Sequence, residues 1–247
     1  MAHSIVTLLA GVAEEQWGLV TRWQVEKAGV ARATVQRLAD DSVLERVAHG
    51  VYRLAGAPIP DHIELRAAWL QFAPNVAAWA RTAEQGVVSH RSAASIYGLG
   101  HLPADCHNFT FPARRQSRRP DVRIHRRSLA SEQYVWLHGC LITRPAEIAS
   151  DLLRDNEDPG AVAQLISEAI RDGYDYPVAF AESLAPHATR FGLRPGDGPS
   201  LLEWMLDLVG DPRRDAWFTR ANADSNETQV AGSGAREAPL PASVAGL

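Results

Sequence analysis

Two stretches of the chain hold side chains of the types that bind nucleic acid. The first is residues 31–40, a predicted helix whose apolar positions recur at i, i+3 and i+4 along one face. The polar residues on and beside its other face are Arg32, Thr34, Gln36 and Arg37. A helix fits the major groove of duplex DNA, where arginine and glutamine form paired hydrogen bonds with guanine and adenine edges. This spacing therefore predicts a DNA-reading helix.

The second stretch is residues 114–127, which contain seven arginines and one acidic residue. The arginines are Arg114, Arg115, Arg118, Arg119, Arg123, Arg126 and Arg127. One interpretation is a surface that contacts DNA phosphates, with strongly salt-dependent binding. A second is a solvated hairpin whose arginines pair with the acidic C-terminal helices. A third is docking to an acidic or RNA-bound partner.

Other residues are of types that bind metals or catalyse reactions, but their spacing does not favour these roles. Cys106 lies near His101 and His107, but the spacing matches no tetrahedral zinc pattern. Ser89 and His90 lack the glycine-flanked turn of a hydrolase nucleophile, which favours capping and packing. We therefore expect no catalytic residue, no metal and no cofactor, and we do not expect an enzyme.

Three carboxylates leave one enzymatic alternative open. Glu147, Asp151 and Asp155 recur every four residues on one predicted helical face, where they could hold magnesium in a nuclease. The restriction-nuclease pattern also needs a nearby lysine, and the chain's single lysine is Lys27. We therefore expect a solvated acidic face, and the magnesium-dependent nuclease has the weakest support.

The elements around the first stretch predict a winged helix-turn-helix over residues 21–54. Thr21 and Gln24 have the spacing of a helix capping box, and Gly29 follows as a stop signal. Apolar runs on either side of Ala48-His49-Gly50 indicate a β-hairpin, the wing. The DNA-binding residues expected outside the reading helix are Thr21, Arg46, His49 and Arg53. A small helical domain that contacts proteins is the alternative.

Composition indicates a soluble globular chain. The 247 residues are 46% hydrophobic and 22% charged, and no apolar run is long enough to span a bilayer. Two cysteines provide no disulfide framework, so a reducing cytoplasm is expected. Residues 58–145 carry eleven basic and six acidic side chains, whereas residues 146–247 carry eight and seventeen. The formal net charge of −4 therefore hides a basic middle.

The order of predicted elements indicates an α+β protein with two domains. Residues 1–57 form the winged domain. Residues 58–220 form a mixed α+β domain with a small antiparallel sheet and a C-terminal helical block, in which four helices open at prolines. Residues 221–247 lack aromatics and periodicity, which predicts a flexible tail. The five tryptophans from Trp69 onward are expected in the core.

The chain resembles the AbiEi-type antitoxins, the DNA-binding members of bacterial type IV toxin–antitoxin pairs. The motifs that carry the resemblance are GLVTRWQVEKAGV, RATVQRLADDSVLERV and AHGVYRL in the first domain, and VVSHRSAASIYGLG, FTFPARRQSRRPDVRIHRR and LITRPAEIASDLLRD in the second. They cover roughly residues 4–155. One departure is Ala31, which stands where many such domains have a serine or threonine cap.

This resemblance implies a DNA-binding antitoxin that represses its own operon and is paired with a nucleotidyltransferase-type toxin. Its partner would be the double-stranded DNA of its own promoter, bound by a homodimer or cooperatively, and it would not contact a membrane. The alternative is a stand-alone winged-helix regulator whose second domain binds a ligand or partner.

Overall fold

A computed structural model describes residues 2–233. The chain begins with a winged helix-turn-helix, as the sequence predicts. Its helices are α1 (Ala2–Glu14), α2 (Arg22–Lys27) and α3 (Arg32–Asp40), and its strands are β1 (Leu19–Thr21), β2 (Leu44–Ala48) and β3 (Val51–Leu54). The strands form an antiparallel sheet in the order β1-β3-β2, so β2 and β3 form the wing.

The predicted capping box at the start of α2 is confirmed. The Thr21 hydroxyl accepts a hydrogen bond from the Gln24 amide, and the Gln24 side chain accepts one from the Thr21 amide. These bonds satisfy two backbone donors that a helix start leaves unpaired. Val25, Val35 and Leu38 are buried against Leu9 of α1 in one apolar cluster, which fixes α2 and α3 on the first helix.

The second domain contains a five-stranded sheet in the order β6-β5-β4-β8-β7. The strands are β4 (Val87–Val88), β5 (His107–Phe111), β6 (Val122–Arg126), β7 (Tyr134–Leu137) and β8 (Cys140–Thr143). The sheet is mixed rather than antiparallel as expected, because β4 pairs in parallel with β8 and β5 pairs in parallel with β6. Residues 112–121 therefore cross from one end of the sheet to the other and do not form a hairpin turn.

Helices cover this sheet and close the domain. They are α4 (Ile63–Phe72), α5 (His90–Tyr97), α6 (Pro145–Arg154), α7 (Pro159–Arg171), α8 (Pro177–Leu184), α9 (Gly198–Leu208) and α10 (Arg214–Ser233). Proline occupies the first turn of α6 through α9, as predicted. The predicted tail differs: residues 221–233 continue α10 as a helix, and residues 234–247 lie outside the described part of the chain.

Side chains from the winged domain enter the core of the second domain. Leu19 and Val51 are buried in the same apolar cluster as Trp69 and Ile142. Hydrogen bonds add to this contact: the Thr21 hydroxyl donates to the Pro74 carbonyl oxygen, and the Ala78 amide donates to Gln16 Oε1 at 3.0 Å. These contacts fix the winged helix-turn-helix against the residues that follow it.

The turn between β7 and β8 also contacts the winged domain. Trp17 Nε1 donates to the His138 carbonyl oxygen at 2.9 Å. Gly139 has a φ of +79°, and a Cβ there would lie 2.8 Å from Trp17 Nε1, so this turn requires glycine.

The expectation that all later tryptophans lie in the core is wrong for three of them. Trp69 is fully buried, whereas Trp79, Trp136 and Trp204 are 41–49% exposed. Large rings at domain edges cover the core with one face and leave the other in water. In the described chain, no helix has the length and apolar character needed to cross a membrane.

Candidate nucleic-acid interface

Helix α3 presents polar side chains to solvent over a buried apolar face. Val35 and Leu38 are buried, whereas Arg32, Gln36 and Arg37 are exposed and Thr34 is half-buried. Gln36 Nε2 donates to Asp40 Oδ1 at 2.9 Å, which orients the glutamine amide along the helix. Neither arginine pairs with a carboxylate in the described part of the chain. The exposed face therefore has free hydrogen-bond donors of the kind that read base edges.

The start of α3 has no side-chain cap. Ala31 occupies the N-cap position with extended backbone, and no side chain accepts a hydrogen bond from the first-turn amides. Uncapped amides at a helix start are suited to phosphate oxygens. This feature makes the departure at Ala31 compatible with DNA binding.

The tip of the wing exposes two of the predicted contact residues. Arg46 and His49 are both at the surface, and Arg46 Nη2 lies 3.1 Å from His49 Nδ1. Their position beside the β2–β3 turn is where a wing meets the phosphate backbone next to the groove occupied by the reading helix.

Two other predicted contact residues are placed differently. Thr21 is fully buried, because its hydroxyl serves the cap of α2 and the Pro74 carbonyl oxygen, so it cannot reach DNA. The Arg53 side chain is only 11% exposed, because it pairs with Glu45 across the wing and donates to the Ala57 carbonyl oxygen. Both side chains form bonds within the protein, so neither is placed to contact DNA.

The seven arginines between residues 114 and 127 divide into two groups. The exposed ones are Arg114, Arg115, Arg118, Arg123 and Arg126. The other two are half-buried and held by carboxylates: Arg119 pairs with Asp121, and Arg127 pairs with Glu147 and Asp151 of α6. The interpretation that these arginines pair with the acidic C-terminal helices is thus correct for Arg127 alone. We call the exposed group the arginine surface.

A single glutamine joins the segment that carries Arg115 and Arg119 to the wing. Gln71, at the end of α4, donates from Nε2 to the His49 carbonyl oxygen at 2.8 Å and accepts at Oε1 from Arg119 Nη1 at 2.9 Å. Next to it, Arg115 donates to the Phe72 carbonyl oxygen at 2.9 Å. Arg119, and Arg115 of the arginine surface, therefore lie near the wing tip. Nothing in the sequence signals this role for Gln71, because its partners are 22 and 48 residues away.

The residues considered for zinc and for hydrolysis are not arranged for either. His101 is exposed and faces Glu168, whereas His107 faces Asp121, so neither forms a ligand cluster with Cys106. Ser89 occupies the N-cap position of α5 without a capping bond, and its hydroxyl accepts instead from Thr110 Oγ1 at 2.9 Å.

The acidic face of α6 is not solvated as expected. Asp151 is 1% exposed and pairs with Arg127 and Arg154, and Glu147 pairs with Arg127. Burial raises the pKa of Asp151 to about 6, against the lowering effect of the two arginines. Only Asp155 remains free of an arginine partner in the described structure. Carboxylates committed to arginines in this way are poorly suited to hold magnesium for a nuclease.

A pair of stacked imidazoles lies beside these acids. The rings of His90 and His125 are 3.5 Å apart at an interplanar angle of 18°. Burial, followed by the nearby His125 and arginines, lowers the pKa of His90 to about 2, and burial also lowers the pKa of His125. Both rings are therefore neutral at physiological pH.

The comparison with protein families finds a match within the winged helix-turn-helix. Residues 9–55 match a family model described as transcriptional regulator, AbiEi antitoxin. The matched range runs from α1 to the last strand of the wing, so it includes the whole of α3. A comparison with curated proteins finds no match. The similarity to transcriptional regulators of this family is thus confined to the winged helix-turn-helix.

Proposed function

We propose that the chain binds duplex DNA upstream of its own gene through α3 and represses transcription from that promoter. The exposed polar face of α3, in a domain that matches the AbiEi regulator model, carries the proposal. Arg32, Gln36 and Arg37 would lie in the major groove, and Arg46 and His49 would contact the flanking backbone. Repression would result from occupancy that excludes the polymerase, with no bond made or broken.

The arginine surface extends this footprint. Gln71 places Arg119 beside the wing tip, and Arg115 donates to the carbonyl oxygen of the neighbouring Phe72, so phosphates beyond the wing would come within reach of the arginines of residues 114–119. Contacts of this kind strengthen binding to every sequence and add to its salt dependence, whereas the contacts of α3 distinguish one sequence from another.

A footprint on the DNA upstream of the gene tests the proposal. Wild-type protein should protect a discrete site there. Arg37→Ala should weaken specific binding by roughly 1–3 kcal/mol, about 5- to 150-fold, because one base contact is lost. Arg171→Ala is the matched control, since Arg171 is an exposed helical arginine whose one carboxylate partner among the described residues is Asp172. Equal protection by wild type and Arg37→Ala would reject the assignment of the contacts.

The antitoxin role is the finer part of the proposal, and the description of the matching family supports it. We propose that the chain acts with a nucleotidyltransferase-type toxin encoded in the same operon. Growth arrest by that neighbouring gene, relieved by co-expression of this chain, would support the pairing. A neighbouring gene of another kind would instead favour a stand-alone regulator.

A further inference from the structure

We propose that His90, His125 and Asp155 bind a divalent transition-metal ion of the zinc class. The three residues come from the first turn of α5, from β6 and from the C-terminal cap of α6. One potential ligand atom of each lies within 4.8 Å of the other two. This site belongs to the second domain, and Arg123 of the arginine surface lines the same cavity as His90 and Asp155.

A hydrogen bond leaves one nitrogen of His125 free for a metal. Asn108 Nδ2 donates to the Cys106 carbonyl oxygen at 3.1 Å, which leaves Asn108 Oδ1 to accept from His125 Nε2 at 3.0 Å. With its proton on Nε2, the neutral ring has a lone pair on Nδ1. Proteins commonly hold a ligating histidine in this way, through an acceptor for the nitrogen that does not bind the metal.

His90 is held in the complementary way. Its Nδ1 lies 2.9 Å from Ser89 Oγ and 3.7 Å from a carboxylate oxygen of Asp151; the Asp151 carboxylate favours a proton on Nδ1, which the Ser89 hydroxyl can accept. The lone pair is then on Nε2, 3.8 Å from a carboxylate oxygen of Asp155. Two electron-rich atoms that face each other at this distance attract a cation.

Asp155 is the carboxylate available as the third ligand, beside His90 and His125. Its side chain is 41% exposed and has no arginine partner in the described structure, unlike Asp151, which pairs with two. His90 and Asp155 also line a cavity of about 290 Å³, which leaves room for water on the ion.

Two imidazole nitrogens and one carboxylate oxygen form a ligand set that zinc accepts, with bonds of about 2.0–2.2 Å. Binding requires the stacked rings to splay apart. The half-buried His125 and the exposed Asp155 can move towards the buried His90. An ion held between α5, β6 and α6 would link three elements and raise the unfolding temperature.

The test uses the full-length protein after removal of metals with a chelator. Wild type should bind one equivalent of Zn²⁺ in calorimetry, give a tetrahedral Co²⁺ spectrum, and melt at a higher temperature with Zn²⁺. Asp155→Asn and His125→Phe should each weaken Zn²⁺ binding by at least about tenfold. The phenyl ring of the second variant preserves the stack on His90. His101→Asn, which changes an exposed histidine, should bind like wild type.

Two results would overturn the proposal. One is the absence of saturable Zn²⁺ binding by folded wild type. The other is unchanged affinity in Asp155→Asn, which would place any bound ion elsewhere. Asp155 is partly exposed, so this isosteric variant keeps the fold and decides the matter even if His125→Phe does not fold.

Discussion

At the scale of single residues, two buried groups make stability depend on pH in opposite directions. The pKa of His90 is lowered to about 2, so below pH 6.5 the unfolded chain binds a proton that the folded chain excludes, and stability is lost as the pH falls. The pKa of Asp151 is raised to about 6, so below pH 6 the folded chain takes up a proton first, and stability is gained. Between about pH 4 and 6 the two effects oppose each other.

Replacing His90 should reveal the pH dependence of stability that Asp151 contributes. His90 has a φ of +54°, so His90→Asn is the substitution that suits the backbone. As the pH falls from 6 to 4.5, the free energy of unfolding of His90→Asn should rise relative to that of wild type by about 1.4 kcal/mol for each pH unit. Urea titrations at several pH values measure this change. The control is His101→Asn, at an exposed histidine of similar backbone conformation, and equal slopes for wild type and both variants would refute the account.

Local spacing predicts contacts within one turn of the chain but not contacts between residues far apart in the sequence. The capping box of Thr21 and Gln24 is predictable because both residues lie within one turn. The burial of Thr21 depends on Pro74, 53 residues away, and local spacing carries no information about that contact. Arg53 was likewise predicted from its position on the wing, whereas its pairing with Glu45 depends on the register of the two strands.

At the scale of elements, α4 positions Gln71 beneath the wing, and a buried arginine secures the end of this helix. Arg81 is 3% exposed and donates from its two terminal nitrogens to the carbonyl oxygens of Trp69, Leu70 and Ala73. Its guanidinium also stacks on the Trp69 ring at 4.6 Å. Burial lowers the pKa of Arg81 to about 10, so the group stays charged at neutral pH.

Removing this guanidinium should destabilise the protein strongly. Arg81→Met leaves several buried carbonyl oxygens without a donor, which should lower the free energy of unfolding by at least about 3 kcal/mol. Chemical denaturation measures the effect. Arg171→Met, at an exposed arginine, should change it by less than about 0.5 kcal/mol. Similar unfolding midpoints for Arg81→Met and wild type would show that other groups satisfy these carbonyls.

The elements themselves were largely predictable, because their signals are local. Prolines in the first turn, apolar periodicity and turn residues indicate α6 to α9, the wing and four of the five strands of the second sheet, all except the two-residue β4. The parallel pairing of β5 with β6 was not predictable, because two strands separated by a polar segment look alike whether they pair in parallel or antiparallel. The arginine surface consequently lies on a crossover and an edge strand rather than on a hairpin.

In the whole molecule, packing determines which charges lie beside the winged helix-turn-helix. The winged domain contributes Leu19 and Val51 to the core of the second domain, and the hydrogen bonds of Gln71 place Arg119 beside the wing. The formal net charge of −4 is a poor guide to DNA binding, because residues 114–127 carry seven arginines against one acidic residue.

In the proposed complex, α3 reads bases while the arginine surface holds phosphates. The most direct test measures the affinity of wild type, Arg37→Ala and Arg118→Ala for the upstream duplex and for a scrambled duplex at two salt concentrations. Arg118 is exposed and pairs with no carboxylate in the described residues, so it suits this comparison.

We predict that Arg37→Ala weakens binding to the upstream duplex alone. Arg118→Ala should weaken binding to both duplexes by a similar factor and make the slope of log affinity against log salt shallower by about one. The account is contradicted if Arg37→Ala binds both duplexes as wild type does, or if Arg118→Ala leaves the salt dependence unchanged.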